Sequence, residues 1–277
     1  RHLQVVSTSG GHLGPGLGNG IANLHNARRA ATPIINLVGN HATYHVPHDA
    51  PLTSDIETLA KNVSSWIKSD STAASLAEDG MTALAKTQSP SRGSDGATAT
   101  LIIPAEACWG ESLDIAGAVQ PESPAVVEAE CIQSVAKALG PASMLLLDKG
   151  ALTPESRMLA AQVAHKMGCR VSMSTFPGRV DSGPGHPVVE RLPYFPEDVL
   201  RAMEGVEHLV LVGAEQPVSF FAYPNQESVL IPDGCVVDRL VSSHENVSQA
   251  LQDLCDAVGA TSTEPPTFVK DSLPTLR

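Results

Sequence analysis

The residues with the clearest chemical potential are a histidine and the glycine-rich stretch that follows it. His12 precedes Gly14, Pro15, Gly16, Gly18 and Asn19. Because glycine has no Cβ atom, this backbone can adopt positive φ angles and lie directly against a ligand. A helix beginning at about residues 18–21 would direct its free N–H groups and positive dipole end at the same ligand. We therefore interpret the stretch as one wall of a cofactor pocket, in which His12 could relay protons near neutral pH.

The same glycines have a purely structural alternative, because a glycine-rich turn can serve only the close packing of a helix on a strand. Their spacing also departs from the dinucleotide fingerprint. That fingerprint requires an acidic residue about 20 positions later, at the end of a second strand. Asp49 and Asp55 come too late and lie in the wrong context. The stretch therefore does not indicate a nicotinamide site.

A polar loop over residues 41–51 carries further candidates, namely His41, His45, His48 and Asp49. A catalytic zinc site needs about three protein ligands on a rigid frame. These histidines, with His12 and His25, lack the HExxH spacing, and we expect no metal here. A serine hydrolase is disfavoured because the GxSxG nucleophile elbow is absent.

The elements that must position these residues alternate between apolar runs and helical patterns. Strands are predicted at residues 31–38, 99–103, 143–147, 170–174, 208–212, 228–231 and 236–240. Helices are predicted at residues 56–67, 71–86, 125–139, 154–167, 196–203 and 245–258. Ser54 and Glu57 form a capping-box pattern, whereas residues 5–11 lack the pattern of a buried strand. The alternation predicts an α/β fold with two doubly wound parallel sheets.

Composition shifts divide the chain into domains and linkers. We expect a first domain over residues 1–114, a linker rich in Pro, Gly and Ala over 115–124, a second domain over 125–260, and a polar C-terminal linker over 261–277. In the second domain, the loop over 176–187 could shape a nucleotide groove or serve as a crossover. The aromatic residues near 194–195 and 220–224 indicate a packed interface or the rim of a pocket, of which packing at a domain contact is favoured.

Charge and cysteine content restrict the partners. The net charge of −12 argues against nucleic acid, which binds clustered Lys and Arg. No apolar run has membrane-spanning length. The five scattered cysteines fit a reducing compartment, so we expect a cytoplasmic protein. The chain begins at Arg1 without an initiator Met, which suggests a fragment and leaves an organellar address open.

Four stretches resemble thiamine diphosphate-dependent enzymes of the acetolactate synthase and benzoylformate decarboxylase group, and more closely acetolactate synthase-like large subunits. They are HLGPGLGNGIANLHNARRAATPIINLVGNHATYHVPHDAPLTSDIETLA, TLIIPAEACWGE, RLPYFPE and HLVLVGAEQPVSFFAYP. The first domain is similar to the latter part of the pyrimidine-binding domain. The second is similar to the Rossmann-like central domain.

The resemblance implies roles for individual residues. His12 would be the catalytic proton relay, and the glycine-rich stretch would pack near the aminopyrimidine of thiamine diphosphate. The substrate side would include His41, His45 and Asp49. The chemistry would be carbanion formation on a 2-keto acid such as pyruvate, with the thiazolium as electron sink.

The chain also departs from the family. The resemblance requires an upstream glutamate, but residues 1–11 contain no Glu or Asp. It also requires a diphosphate and Mg²⁺ domain with Gly-Asp-Gly, which does not occur here. We therefore expect a fragment that is inactive alone and belongs to a homo-oligomer or pairs with a full-length subunit. Two alternatives stay open: an FAD- or NAD-binding module, and a non-catalytic scaffold subunit.

Overall fold

The computed structural model describes residues 4–7, 12–90, 96–111, 115–181, 183 and 185–260. The chain divides into two compact units, Arg1–Pro124 and Ala125–Arg277. Within the described ranges, no helix combines the length and the apolar character that a bilayer crossing requires.

The first unit is built on a four-stranded parallel sheet. Its elements are β1 (Gln4–Ser7), α1 (Leu13–Arg29), β2 (Ile34–Asn40), α2 (Ile56–Lys61), β3 (Trp66–Lys68), α3 (Leu76–Gln88), β4 (Thr98–Pro104) and α4 (Ala105–Trp109). The strand order is β1-β2-β4-β3, and all three pairings are parallel. The α/β class with a parallel sheet is therefore confirmed for this unit.

Alternate residues of β2 and β4 point to opposite faces of the sheet, and helices cover both faces. On one face, Val38 and Ile102 pack with Leu17 of α1 and Ile56 of α2. On the other face, residues of β2 and β4 including Leu101 pack against α3. Between the layers, the buried Asn36 Nδ2 donates to Thr100 Oγ1 at 3.1 Å, which links β2 to β4.

Several predictions for the first unit were wrong in detail. Residues 5–7 do form a strand, because β1 pairs with β2 over Gln4–Ser7. The helical pattern over 56–67 breaks at Lys61, and Trp66–Lys68 becomes β3 beside β4. The cap of α2 is Asp55, whose side chain accepts the N–H of Thr58 at 2.9 Å, and not Ser54.

The second unit contains a five-stranded parallel sheet. Its elements are α5 (Ala129–Ala138), β5 (Ser143–Leu147), α6 (Pro154–Met167), β6 (Arg170–Met173), β7 (Glu190–Arg191), α7 (Pro196–Ala202), β8 (His208–Val212), β9 (Val236–Val241) and α8 (Val247–Ala257). The strand order is β7-β6-β5-β8-β9, with every pairing parallel. This confirms the α/β class for the second unit as well.

Sequence predictions succeed best where local signals agree. The bounds of β5, α6 and β8 match the predicted ranges. Thr153 caps α6 by accepting the N–H of Ser156 at 3.2 Å, and Gly168 ends it in the left-handed region at φ 71°. The predicted strand over 228–231 does not form; its place holds only an isolated antiparallel bridge between Val218 and Val229.

Candidate functional site

The predicted site residues of the first unit lie at the carboxyl edge of its sheet. His12 directly precedes α1, which follows β1, and His41 directly follows β2. Glu106 lies in α4, which directly follows β4. Ligands of open parallel sheets bind at this edge, beyond the carboxyl ends of the strands. The topology therefore brings together side chains that are far apart in sequence.

His12 is the N-cap residue of α1, with extended backbone angles (φ −68°, ψ 122°). Its side chain is exposed and makes no capping hydrogen bond. A Cβ atom placed on Gly39 would lie 2.6 Å from His12 Nδ1 and 3.1 Å from Cε1. One edge of the imidazole therefore rests on the end of β2. Nε2 lies farther from the Cβ position at Gly39 than these two atoms do.

The next residue holds this arrangement in a strained backbone conformation. Leu13 has φ 66°, a left-handed value that costs a non-glycine residue about 1–2 kcal/mol. Its side chain is only 1% exposed and belongs to the core between α1 and the sheet. We infer that burial of Leu13 offsets the strain and sets the direction in which the chain enters α1.

The predicted glycine-rich loop is in fact the first part of α1, which begins at Leu13 and not at residues 18–21. None of its glycines has positive φ. Pro15 is accommodated because the first N–H groups of a helix have no partner within it. The expectation that the helix begins only after the glycine-rich stretch was therefore wrong, because the buried leucines of α1 extend the helical pattern back to residue 13.

The glycines of this segment serve different purposes. Gly14 and Gly16 are buried, and a Cβ on Gly14 would come within 2.4 Å of Ser54 Cβ. Gly14 thus lets α1 approach the segment before α2, and not a strand as the structural alternative proposed. Gly18 has no atom within 4 Å of an added Cβ, and Pro15 and Asn19 are exposed beside it. In the described part of this segment, Gly18 with Pro15 and Asn19 therefore offers open space to a ligand.

The histidine loop after β2 forms a row of rings. The His41 and His45 centroids are 5.2 Å apart, and those of His45 and His48 are 5.9 Å apart. His45 and Asp49 are exposed, and Asp49 adopts a left-handed conformation (φ 48°) at the end of the 3₁₀ turn Val46–His48. His41 Nε2 is buried and makes no hydrogen bond within the described part of the chain.

Sequence reasoning missed a carboxylate at this edge. Glu106 Oε1 accepts the backbone N–H of Thr43 at 2.8 Å and also the Thr43 hydroxyl. The hydroxyl and then the backbone hydrogen bond lower the pKa of Glu106, which keeps it ionised. Its Oε2 is buried and unpartnered among the described residues. The available sequence signal was its position directly after the buried strand β4.

Buried polar atoms are normally hydrogen-bonded, so His41 Nε2 and Glu106 Oε2 are candidates for contact with a ligand. A metal is less well supported. Over the described ranges, no three His, Cys, Asp or Glu side chains are grouped as a metal site would require.

The second unit holds a Ser–His–Asp chain of hydrogen bonds at the amino end of its sheet. Ser143 Oγ lies 3.4 Å from His208 Nδ1, and His208 Nε2 lies 2.9 Å from Asp238 Oδ2. Ser143 is only 2% exposed, and its hydroxyl also accepts the N–H of Gly140 at 3.0 Å. A hydrolytic nucleophile must be accessible to its substrate, and the buried Ser143 is not. These hydrogen bonds instead connect the first residues of β5, β8 and β9.

Five aromatic rings cluster at the opposite edge, beyond the carboxyl ends of β6, β7 and β8. They are Phe176, Tyr194, Phe195, Phe220 and Phe221, with contacting centroids 4.7–6.0 Å apart. Each ring packs on another, yet all remain between 38% and 60% exposed. Within the second unit they form a surface, and their predicted role at a domain contact stays a prediction.

No family profile matches the chain. Among curated proteins, it is 42% identical over 255 residues to the "Putative acetolactate synthase large subunit IlvX" of Mycobacterium tuberculosis. This match covers 92% of the chain but 48% of the relative. The chain therefore spans about half the length of the curated relative it matches.

Solved structures share the fold. A thiamin diphosphate-dependent enzyme, described as putative, from Mycobacterium smegmatis superposes with a TM-score of 0.70 at 25% identity, over 95% of this chain and 52% of that one. The thiamine diphosphate-dependent 4-hydroxybenzoylformate decarboxylase of Rhodococcus jostii RHA1 gives 0.71 at 18% identity, over 94% and 51%. The resemblance deduced from sequence is thus confirmed: the chain is similar to an acetolactate synthase-like large subunit and has the fold of thiamine diphosphate-dependent enzymes.

Proposed function

We propose that this chain is part of an acetolactate synthase-like, thiamine diphosphate-dependent decarboxylase or carboligase that acts on a 2-keto acid such as pyruvate. The observation that carries the proposal is the position of His12. Its imidazole stands at the carboxyl edge of the first sheet, exposed on one side and supported by Gly39 on the other. This is where a doubly wound fold presents groups to a ligand.

The described residues fit one part of the cofactor. Gly18 has open space around it, and Pro15 and Asn19 are exposed beside it, so a flat ring could approach this part of α1. They do not fit the diphosphate and Mg²⁺. The chain has no Gly-Asp-Gly sequence, and the described ranges contain no group of potential metal ligands. We therefore assign to this chain the aminopyrimidine side of the site alone.

When bound, thiamine diphosphate supplies an electron sink for decarboxylation of a 2-keto acid. The residues of this chain supply orientation and proton transfer. We assign the proton transfer to the His12 imidazole, through Nε2. We assign His41, His45 and Asp49, which follow β2, to the substrate side, with Glu106 as a negative charge beside them.

We propose that another polypeptide region holds the diphosphate and Mg²⁺, either in the homo-oligomer of a full-length enzyme to which this chain belongs or in a full-length subunit that pairs with this chain. We propose that the chain alone does not turn over. All five cysteines are free, which is consistent with the cytoplasmic location that we propose.

Calorimetric titration tests the proposal. Thiamine diphosphate with MgCl₂ is added to this chain alone and to its mixture with a full-length acetolactate synthase-like subunit whose own His12-equivalent has been replaced. We expect turnover of pyruvate only in the mixture. When this chain carries His12→Ala, turnover should be lost while cofactor binding is kept, because His12 acts in proton transfer. Absence of any gain from adding this chain would contradict the proposal and favour a scaffold role. A flavin absorption band in the purified chain would favour the nucleotide-binding alternative.

Gly18→Ala separates ligand contact from packing. Alanine meets no protein atom at this position and favours the helix by about 1 kcal/mol, so folding should be preserved or strengthened. If α1 faces the cofactor, the variant should bind thiamine diphosphate more weakly in the mixture. The matched control is Gly80→Ala in α3, where an added Cβ also meets nothing within 4 Å and binding should be unchanged.

A further inference from the structure

We propose that Gly39 is a positioning residue. Because it has no side chain, the His12 imidazole can pack against the backbone of β2 and is oriented by this contact. The inference rests on the proposed function in so far as His12 relays a proton there. The dependence of the ring position on Gly39 does not require the cofactor. It can therefore be tested in the chain without thiamine diphosphate.

The backbone at Gly39 does not itself require glycine. The residue lies within β2 and pairs with Ile103 of β4 in the regular parallel register. It is not among the residues with positive φ, so an alanine could adopt its conformation. Alanine is also better suited than glycine to a strand interior. The requirement for glycine at this position must therefore come from the atoms that pack against this face of β2.

That reason is the imidazole. The three atoms nearest to a Cβ at Gly39 all belong to His12: Nδ1 at 2.6 Å, Cε1 at 3.1 Å and Cγ at 3.8 Å. Real Cβ atoms do not approach other atoms as closely as 2.6 Å, so an alanine here would force the ring to move. The ring can move, because it is an exposed side chain without a capping hydrogen bond. The consequence of alanine is therefore a displaced imidazole in an intact fold.

Proton transfer depends steeply on position. A displacement of about 1 Å in a reacting group can cost up to about 100-fold in rate. The contact with Gly39 therefore constrains the position of the ring. No capping hydrogen bond of His12 at the N-terminus of α1 does so. The contact also leaves Nε2, on the far part of the ring, free to exchange a proton.

The first test is NMR of the imidazole Hε1 resonances in the complete chain without cofactor. The signal that His12→Ala removes identifies His12 among the ten histidines. We expect Gly39→Ala to shift this signal, and the control Gly80→Ala to leave it unchanged. Coincident His12 signals in the wild type and in Gly39→Ala would overturn the proposal, whether or not the chain binds thiamine diphosphate.

A double-mutant cycle covers the case in which Gly39→Ala fails to fold. Removing the ring with His12→Ala also removes the overlap, so the double variant should fold with a urea midpoint at least equal to that of His12→Ala. If the double variant also fails to fold, Gly39 is required for another reason and the proposal is wrong. In the assembled enzyme, Gly39→Ala should lower kcat about 10- to 100-fold. In the His12→Ala background it should cause no further loss.

Discussion

The backbone N–H of Thr43 donates to Glu106 Oε1 at 2.8 Å and joins the loop after β2 to the helix after β4. The two residues are 63 positions apart in sequence. The contact fixes the start of the histidine loop at the carboxyl edge of the first sheet. It also places an ionised carboxylate there, because hydrogen bonds from Thr43 lower the pKa of Glu106.

Glu106→Ala should release this loop. Without the carboxylate, the Thr43 amide loses its acceptor, and we expect its hydrogen exchange to become about fivefold faster. Glu106→Gln is the matched control, because its amide oxygen can still accept this hydrogen bond. Hydrogen exchange of the Thr43 amide, measured by NMR at several pH values, also tests whether the contact depends on the charge of Glu106. A lowered pKa means that the contact is strongest above the usual pKa of glutamate and is lost as the pH falls through the folded-state pKa. Equal exchange in the wild type and Glu106→Ala would show that the contact does not hold the loop.

Gly14→Ala should destabilise the first unit although glycine is a poor helix former. An added Cβ would lie 2.4 Å from Ser54 Cβ and Oγ, and such overpacking costs about 1–3 kcal/mol. In Gly80→Ala, by contrast, alanine enters open space and should stabilise α3 by about 1 kcal/mol. Urea denaturation compares the two variants. A midpoint for Gly14→Ala equal to that of Gly80→Ala would mean that α1 does not pack closely on the segment before α2.

Asp148→Asn should stabilise the second unit at neutral pH. Burial raises the pKa of Asp148, against the opposing hydrogen bond from the Lys149 N–H at 2.7 Å. An acid with a raised folded-state pKa stabilises the fold below its unfolded pKa of about 3.9, and this stability is lost as the pH rises through the folded value. Asparagine can still accept the Lys149 N–H but carries no charge. Its advantage in thermal denaturation should therefore be present at neutral pH and vanish near the unfolded pKa. An advantage that is the same at both pH values would contradict this assignment.

The cysteines should react with iodoacetamide in a set order. Cys108 is exposed, whereas burial raises the pKa of both Cys169 and Cys255 to about 11. At pH 8 a thiol of that pKa is only roughly one thousandth thiolate, and the thiolate is the reactive form. Mass spectrometry of the native protein should therefore find Cys108 labelled first. Cys169 and Cys255 should be labelled only after denaturation, and their rapid labelling in the native state would show that these thiols are accessible.

The sequence by itself determined the class of fold and several of its elements. Buried parallel strands are continuous apolar runs, so β5 and β8 could be predicted from their short runs of apolar residues. The start of α6 at Pro154 was predicted correctly, because proline at the first helical position and the Thr153 cap act locally. The glycine-rich stretch and His12 were likewise recognisable as a candidate site, since their residue types do not depend on the fold.

Only the tertiary structure decided how that site is built. The stretch after His12 is helical because Leu13 and Leu17 are buried against the sheet, which a local glycine pattern does not reveal. The short strand β3 forms because it can pair with β4, and not because of its own sequence. Two contacts show this: His12 packs on Gly39, and Thr43 donates a hydrogen bond to Glu106. Each joins segments that meet only when parallel strands end at one edge. Such contacts depend on strand order and register, which local sequence patterns do not encode.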